Sequence, residues 1–245
     1  MKELRIDEIQ KSLKHEIYFL NNRPLYASIF ENKNLGLAYK LNDVVFIKCM
    51  HSPYVFFAGD DMRKKNVDEM TAFFKDQEIK LVCNQKHFKD FICAGWKLIP
   101  RVEMYYNKGY LQLKEIVHGK IETLNENNFR KCNWYNFMCG ISGGEEVFLA
   151  NNFGFVSIID NEIAGECYSC AVGDNKAEIA VITNEKYKSQ GIASVLSGMV
   201  INECLKRSLA PIWSCVTENV ASFRTALKLG FEINEYYFIL TINAK

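Results

Sequence analysis

What this chain lacks narrows its roles before any motif is read. Lysine and arginine number 30 against 29 aspartates and glutamates, so the formal net charge is only +1. That gives no general drive toward nucleic acid or an anionic membrane, and neither is expected as a partner. No apolar run approaches the roughly 18 residues that suggest a membrane span. The opening stretch, MKELRIDEIQKSLKHEIYFL, has no apolar core of the kind an export signal carries. A soluble, cytoplasmic chain is therefore expected. Histidine is scarce: His15, His51, His87 and His118 form no ligand spacing, so no metal is expected.

Apolar residues make up 49% of the 245, enough for a sizeable core in one large domain or two small ones. Nine cysteines, an odd number, are scattered through apolar segments. Free buried thiols in a reducing compartment account for them best. Cys167 and Cys170 have CxxC spacing but lie in a stretch that reads as a strand. Positions three apart on a strand face opposite ways, so a shared zinc or disulfide would need a bulge.

The chain divides near residue 118, into 1–118 and 119–245. In the second part GKIETLN reads as a strand, and ENNFRKCNWYNFMCGI and GGEEVFLANN as two helices. A hairpin follows, turning at Asp160-Asn161. KAEIAVIT is a strand, and IASVLSGMVINECLKRSL a helix with Val195, Leu196, Met199, Val200, Cys204 and Leu205 on one stripe. PIWSCVT is a strand, and NVASFRTALKLG a helix capped by Asn219 and closed by Gly230. FEINEYYFILTIN is a last strand, giving a mixed α/β (α+β) domain with a strand–loop–helix–strand crossover.

The first part holds a degenerate copy of this plan. Asn84, Gly95 and Trp96 match Asn219, Gly230 and Phe231, with the same separation of eleven residues from Asn to Gly and a strand on each side. Around Asp60 and Asp61 the copy offers carboxylates where an anion would have to sit. The first half is therefore not expected to be a second phosphate site.

The loop before the long helix, YKSQGIASVL, places Gly191 and Ala193 where a helix begins. Free N–H groups and the positive end of the helix dipole make such a place suited to an anion. Lys188-Ser189-Gln190-Gly191-Ile192-Ala193 after a strand resembles the Gln/Arg-x-x-Gly-x-Gly/Ala signature of the GNAT superfamily, the Gcn5-related N-acetyltransferases, with Lys in the first position. NVASFRTALKLGF resembles the family's Asn-helix-Leu-Gly-Phe segment. With a P-x-W-x-C…N-x-x-S stretch and two GNAT-like halves, the chain is similar to the group containing the zwittermicin A self-resistance acetyltransferase.

The resemblance implies a GNAT fold with a degenerate GNAT-like N-terminal half and a catalytic half over 119–245. It implies acetyl-CoA as co-substrate, its pyrophosphate held by Ser189, Gln190, Gly191, Ile192, Ala193 and Ser194. Small residues at Ser194, Ser197 and Gly198 would keep that helix face thin. Val181, Ile182 and Thr183 would offer backbone groups to the pantetheine arm and thioester, and Asn219 would contact the cofactor. Direct attack by a small-molecule primary amine is implied, with Glu178 as first candidate for the general base and Glu166 as second. Tyr187, beside the loop, reads as packing. Many members carry a tyrosine acid where this chain has Ala226, and acetylators of peptide N-termini often carry Glu where it has Ser214. Two other readings stand beside this one: a non-catalytic acyl-CoA-binding module, and a tRNA-dependent aminoacyl transfer enzyme, which the small net charge opposes. A homodimer is compatible with the sequence.

Overall fold

The computed structural model describes residues 2–12, 20–59, 64–113 and 119–242. His15, Asp60, Asp61, His118 and the divide at 118 lie outside them. The fold is mixed α/β. The first half runs β1 (Lys2–Leu4), α1 (Ile6–Ser12), α2 (Arg23–Phe30), β2 (Gly36–Leu41), β3 (Val44–Cys49), β4 (Tyr54–Ala58), α3 (Lys64–Phe73), β5 (Ile79–Val82), α4 (Phe88–Cys93) and β6 (Lys97–Tyr105). The second half follows the same order with one more helix after its first strand. It runs β7 (Lys120–Thr123), α5 (Glu126–Phe129), α6 (Tyr135–Ser142), α7 (Glu145–Asn151), β8 (Gly154–Ile159), β9 (Glu162–Gly173) and β10 (Lys176–Thr183). It then continues through α8 (Ile192–Lys206), β11 (Ala210–Val216), α9 (Val220–Leu229) and β12 (Glu232–Ile242).

The helix expected over ENNFRKCNWYNFMCGI is two helices, α5 and α6. Between them the amides of Asn133 and Trp134 donate to the Glu166 carboxylate and so are withdrawn from any helical ladder. Elsewhere local chemistry sets the boundaries as the residues suggest. Asp160 and Asn161 both have positive φ (52° and 62°), the hairpin geometry that Asp and Asn tolerate. The Asn84 side chain accepts from the Lys86 amide, and that of Asn219 from the Ser222 amide. Gly95 (φ 90°) and Gly230 (φ 95°) occupy the left-handed region. The following amides, of Trp96 and Phe231, reach back to the carbonyls of Phe91 and Ala226, both at 3.1 Å. This is the Schellman closure, made twice at matching places.

Among the described residues twelve strands form one sheet, in the order β1-β2-β3-β4-β5-β12-β6-β11-β10-β9-β8-β7. The last strand of each half crosses the middle: β12 lies between β5 and β6, and β6 lies between β12 and β11. Residues of the first half on β6 therefore stand one strand away from those on β11.

Alternation along the central strands assigns their side chains. Val102, Met104, Trp213, Cys215, Ala177 and Ile179 share a core with α8 and α9. Arg101, Glu103, Ser214 and Glu178 alternate with them and so face the other side. That side carries the core shared by α2, α5–α7, β3, Tyr168 and Tyr237. A third core joins α3 and α4 to β4 and β5.

On α8 the buried residues are Ile192, Leu196, Ser197, Gly198, Val200, Ile201 and Cys204, while Val195, Met199 and Leu205 are only partly covered. The stripe expected from sequence is thus rotated. The segment after β6 lies across the helix: Leu111 exchanges two hydrogen bonds with the Asn202 side chain (2.8 and 3.0 Å). A Cβ on Gly198 would come within 2.5 Å of Leu113. Gly198 is small because a leucine of the connecting segment lies on it, and Ser197 is buried 3.5 Å from the Cys167 thiol. Neither leaves room for a cofactor, which corrects that part of the expectation.

Candidate active site

The site is framed by β10 and β11, which run parallel and part company. They pair only at Lys176↔Ala210, Ala177↔Pro211 and Glu178↔Ile212. Beyond Glu178, β10 keeps its ladder with β9, where Val181, Ile182 and Thr183 pair with Cys167, Glu166 and Gly165. β11 turns to β6 instead, from Ile212↔Tyr105 to Val216↔Arg101. A wedge opens between two neighbouring strands, with Val181, Ile182 and Thr183 along one side. The Thr183 hydroxyl is buried there without a hydrogen-bond partner. A bulge sits at the apex: Glu178 pairs with Ala171 but Ile179 pairs with Ser169, leaving Cys170 as the extra residue.

At the foot of the wedge the chain turns through Asn184–Tyr187 into the loop. Tyr187 is buried in the core beneath α8, so its ring packs the loop as expected. Ser189 (φ 63°) and Gly191 (φ 82°) are both left-handed, and Gly191 is the N-cap of α8 with no side chain closing the helix end. Lys188 is ion-paired with Glu185. Ser189, Gln190 and Gly191 are exposed, and a Cβ added at Gly191 would meet nothing within 4 Å. The Ile192 side chain is buried against Gly165, so only its backbone faces the opening. Ala193 and Ser194 are half-buried in the first turn. The first-turn amides of a 15-residue helix thus lie open, beside an alanine, a serine and a glycine. An unpartnered hydroxyl, a free strand edge and an uncapped helix end fit an extended molecule with an anionic end. Asn219 is the N-cap of α9, its side-chain oxygen held by the Ser222 amide at 3.1 Å.

Glu178 stands at the apex in a polar network built from both halves. Ser214 on β11 donates to its Oε1 at 2.5 Å, and Asn22 Nδ2, just before α2, reaches the same oxygen at 3.4 Å. Arg101 on β6 donates to Ser214 Oγ (3.1 Å) and to Tyr237 Oη (2.9 Å), and Tyr237 donates to Asn22 Oδ1 (3.1 Å). Burial works against the Arg101 charge, but Tyr54, Tyr237 and Glu178 around it hold the guanidinium above its ordinary range. Burial raises Tyr54 and Tyr237. Glu103 is also raised, by burial first and by the Glu178 charge second, although the Asn22 amide opposes this.

Glu166, the second candidate, is fully buried. It accepts from the Asn133 amide (2.7 Å), the Trp134 amide (3.2 Å) and the Tyr168 hydroxyl (3.2 Å). These bonds tie the α5–α6 connection to β9 and occupy both oxygens. Glu166→Ala is expected to cost about 3 kcal/mol of stability, because two buried amides and a phenol lose their acceptor. Urea unfolding checks this, and a change under about 1 kcal/mol would contradict it. Ala226 is fully buried in the core under α9, so no side chain there reaches the wedge.

All nine cysteines are free. Despite the bulge, Cys167 points into the core under α8 and Cys170 toward the α2 side. Burial raises both thiols, which makes them poor nucleophiles. Among the described residues no group of histidine, cysteine or carboxylate side chains could hold a metal. Nor is any described helix long and apolar enough to cross a membrane.

The residues that sequence reading missed are Asn22, Arg101, Glu103 and Tyr237; Ser214 was noted only for what it is not. The Arg101–Glu103 pair in RVEMYY is an ordinary alternation of polar and apolar residues. Nothing local tells that its polar side is covered.

Comparison with known proteins gives the family. The profile of the family described as GNAT acetyltransferase matches residues 40–240. The chain therefore belongs to that family. A relative from Bacillus subtilis (strain 168), the uncharacterized N-acetyltransferase YdfB, is 34% identical over 90 residues, which is 36% of this chain. The match spans only about a third of that relative's own length (34%). The fold is similar to that of a GCN5-related N-acetyltransferase-like protein from Streptococcus suis 89/1591: TM-score 0.78, 20% identity, 96% of this chain and 99% of that one. It is also similar to a putative GNAT acetyltransferase from Novosphingobium aromaticivorans DSM 12444: TM-score 0.61, 16% identity, 90% and 96% covered.

Proposed function

We propose that this chain transfers an acetyl group from acetyl-CoA to a small-molecule primary amine by direct attack. The observation that carries this reading is the wedge between β10 and β11, which opens past Glu178↔Ile212 and ends at the uncapped start of α8. Backbone amides of Ser189–Ser194 bind the pyrophosphate, supported by the helix dipole. The free edge at Val181–Thr183 orients the pantetheine arm and polarises the thioester carbonyl. Asn219 lies at the cofactor's side of α9 while serving as its cap.

In the reaction the amine nitrogen bonds to the acetyl carbon and the carbon–sulfur bond breaks, with the electron pair leaving on the thiolate. Glu178 takes the proton shed by the acceptor, directly or through water. No residue is assigned to protonate the thiolate, which solvent can do. The two halves, 1–118 and 119–245, have separate tasks in this reading: only the second holds cofactor. In the first half β4 and β5 also stop pairing, after Phe56↔Val82, and a cavity of about 520 Å³ lies beside their ends. Its lining includes Asn21, Asn84, His87 and Glu235, and this half shapes the acceptor pocket. The subgroup containing the zwittermicin A self-resistance acetyltransferase, whose resemblance rests on the two halves, belongs to the same reading, as does a cytoplasmic location.

A non-catalytic acyl-CoA-binding module is the second reading, favoured by the buried Ala226 where a tyrosine acid would stand. A thiol-release screen over amino acids, polyamines and aminoglycoside-like amines separates the two. Amine-dependent release of CoA supports the transferase. Binding of acetyl-CoA with no release above the blank would favour the module.

A further inference from the structure

We infer that Arg101 is the positioning residue for the candidate base, acting on Glu178 through Ser214 along one path and through Tyr237 and Asn22 along the other. The inference rests on the reading of Glu178 as the base. Its logic is the direction of each hydrogen bond. A guanidinium can only donate. Arg101 Nη2 donates to Ser214 Oγ at 3.1 Å, so the single hydroxyl proton of Ser214 is left for Glu178 Oε1, 2.5 Å away. Arg101 Nε donates to Tyr237 Oη at 2.9 Å, so the phenol proton goes to Asn22 Oδ1, at 3.1 Å. That contact fixes the amide of Asn22 with its NH2 toward Glu178 Oε1, at 3.4 Å. Two chains of donors thus begin at one cation and converge on one carboxylate oxygen, and among the described residues none donates to Oε2, which is left to take a proton.

Asn22 supports the assignment independently. It occupies the N-cap of α2, yet its side chain makes no capping bond and its backbone is left-handed (φ 58°). It is almost fully buried, at 2% exposure. A residue type favoured for capping has been turned away from its helix and toward the network. Among the described residues, the charged and titratable groups around Glu178 are Arg101 and Glu103 on β6, Tyr54 on β4, Tyr237 on β12 and Cys170 on β9. Of these, Arg101 is the one cation. Asn22, Arg101 and Tyr54 belong to the first half. The exchange of β6 and β12 is what lets that half orient a carboxylate on β10, so the degenerate half retains a task in catalysis without a cofactor of its own.

The test is a double-mutant cycle, read by thiol release with acetyl-CoA and the best amine of the screen. Ser214→Ala should lower kcat about tenfold with KM for acetyl-CoA unchanged, and Tyr237→Phe should lower it severalfold, in keeping with loss of orientation rather than of the base itself. Ser214→Thr keeps the hydroxyl and should recover most of the rate. In a Glu178→Gln background neither Ser214→Ala nor Tyr237→Phe should change the residual rate by more than about twofold, because a residue that acts through Glu178 has nothing left to position. Calorimetry with acetyl-CoA shows that each variant is folded. If Glu178→Gln is impaired but Ser214→Ala and Tyr237→Phe turn over at the wild-type rate, the positioning role is refuted while the base stands. Equal fold losses in both backgrounds refute it too. A wild-type rate for Glu178→Gln overturns the base reading itself, and this inference with it.

Discussion

Gly191→Glu is expected to abolish calorimetric binding of CoA to a protein that remains folded. The effect has two sources, and they can be separated. Gly191 has φ 82°, which a residue with a Cβ adopts at a cost of about 1 kcal/mol. The space around its Cβ position is open, so no clash adds to that cost. The larger source is charge. The new carboxylate stands at the N-terminus of α8 and competes with a pyrophosphate for the same amides and the same dipole. A loss of at least about a hundredfold in affinity, some 2.7 kcal/mol, is the expected size. Gly191→Ala carries the backbone strain without the charge and should lose far less. Unchanged affinity in a folded Gly191→Glu protein would remove the loop from the cofactor site.

Glu178→Gln is expected to lower kcat by about a hundredfold or more while CoA affinity stays near that of the wild type. The network explains why this substitution is a clean one. Both donors to Glu178, from Ser214 and Asn22, go to Oε1. A glutamine can present its carbonyl oxygen to them and keep the same shape, so the change is the loss of a proton acceptor. The rising limb of the pH–rate profile should vanish with it. A variant that turns over at the wild-type rate with the correct acceptor would reduce Glu178 to a structural member of the network. Glu166 is no substitute, since its oxygens are taken by Asn133, Trp134 and Tyr168. A water chain would then have to carry the proton.

The geometry of the loop before α8 was legible in the sequence because its determinants are local. A strand, a left-handed glycine and an uncapped helix lie within about twenty consecutive residues, and each leaves its own mark. The same holds for the matching caps at Asn84 and Gly95 and at Asn219 and Gly230, because a capping bond and a Schellman turn involve neighbours in the chain. The sheet topology was not legible. Nothing in the residues of β6 or β12 says that they cross into each other's half, since alternation is the same whichever strand lies alongside. The network around Glu178 was hidden for that reason: Arg101 and Ser214 are 113 positions apart, and Tyr237 and Asn22 are 215 apart. The register of α8 was misread for a related reason. Its outer face is covered by Leu111 and Leu113 of the connecting segment, a contact between distant parts of the chain that no helical periodicity encodes.

The central claim is that the second half holds acetyl-CoA and the first half does not. A crystal structure of the protein with CoA tests it most directly. The account predicts the pyrophosphate within hydrogen-bond distance of the amides of Ser189–Ser194, and the thiol end between β10 and β11 beside Val181 and Glu178. CoA seated instead in the cavity beside β4 and β5, or lying away from the wedge between β10 and β11, would contradict it.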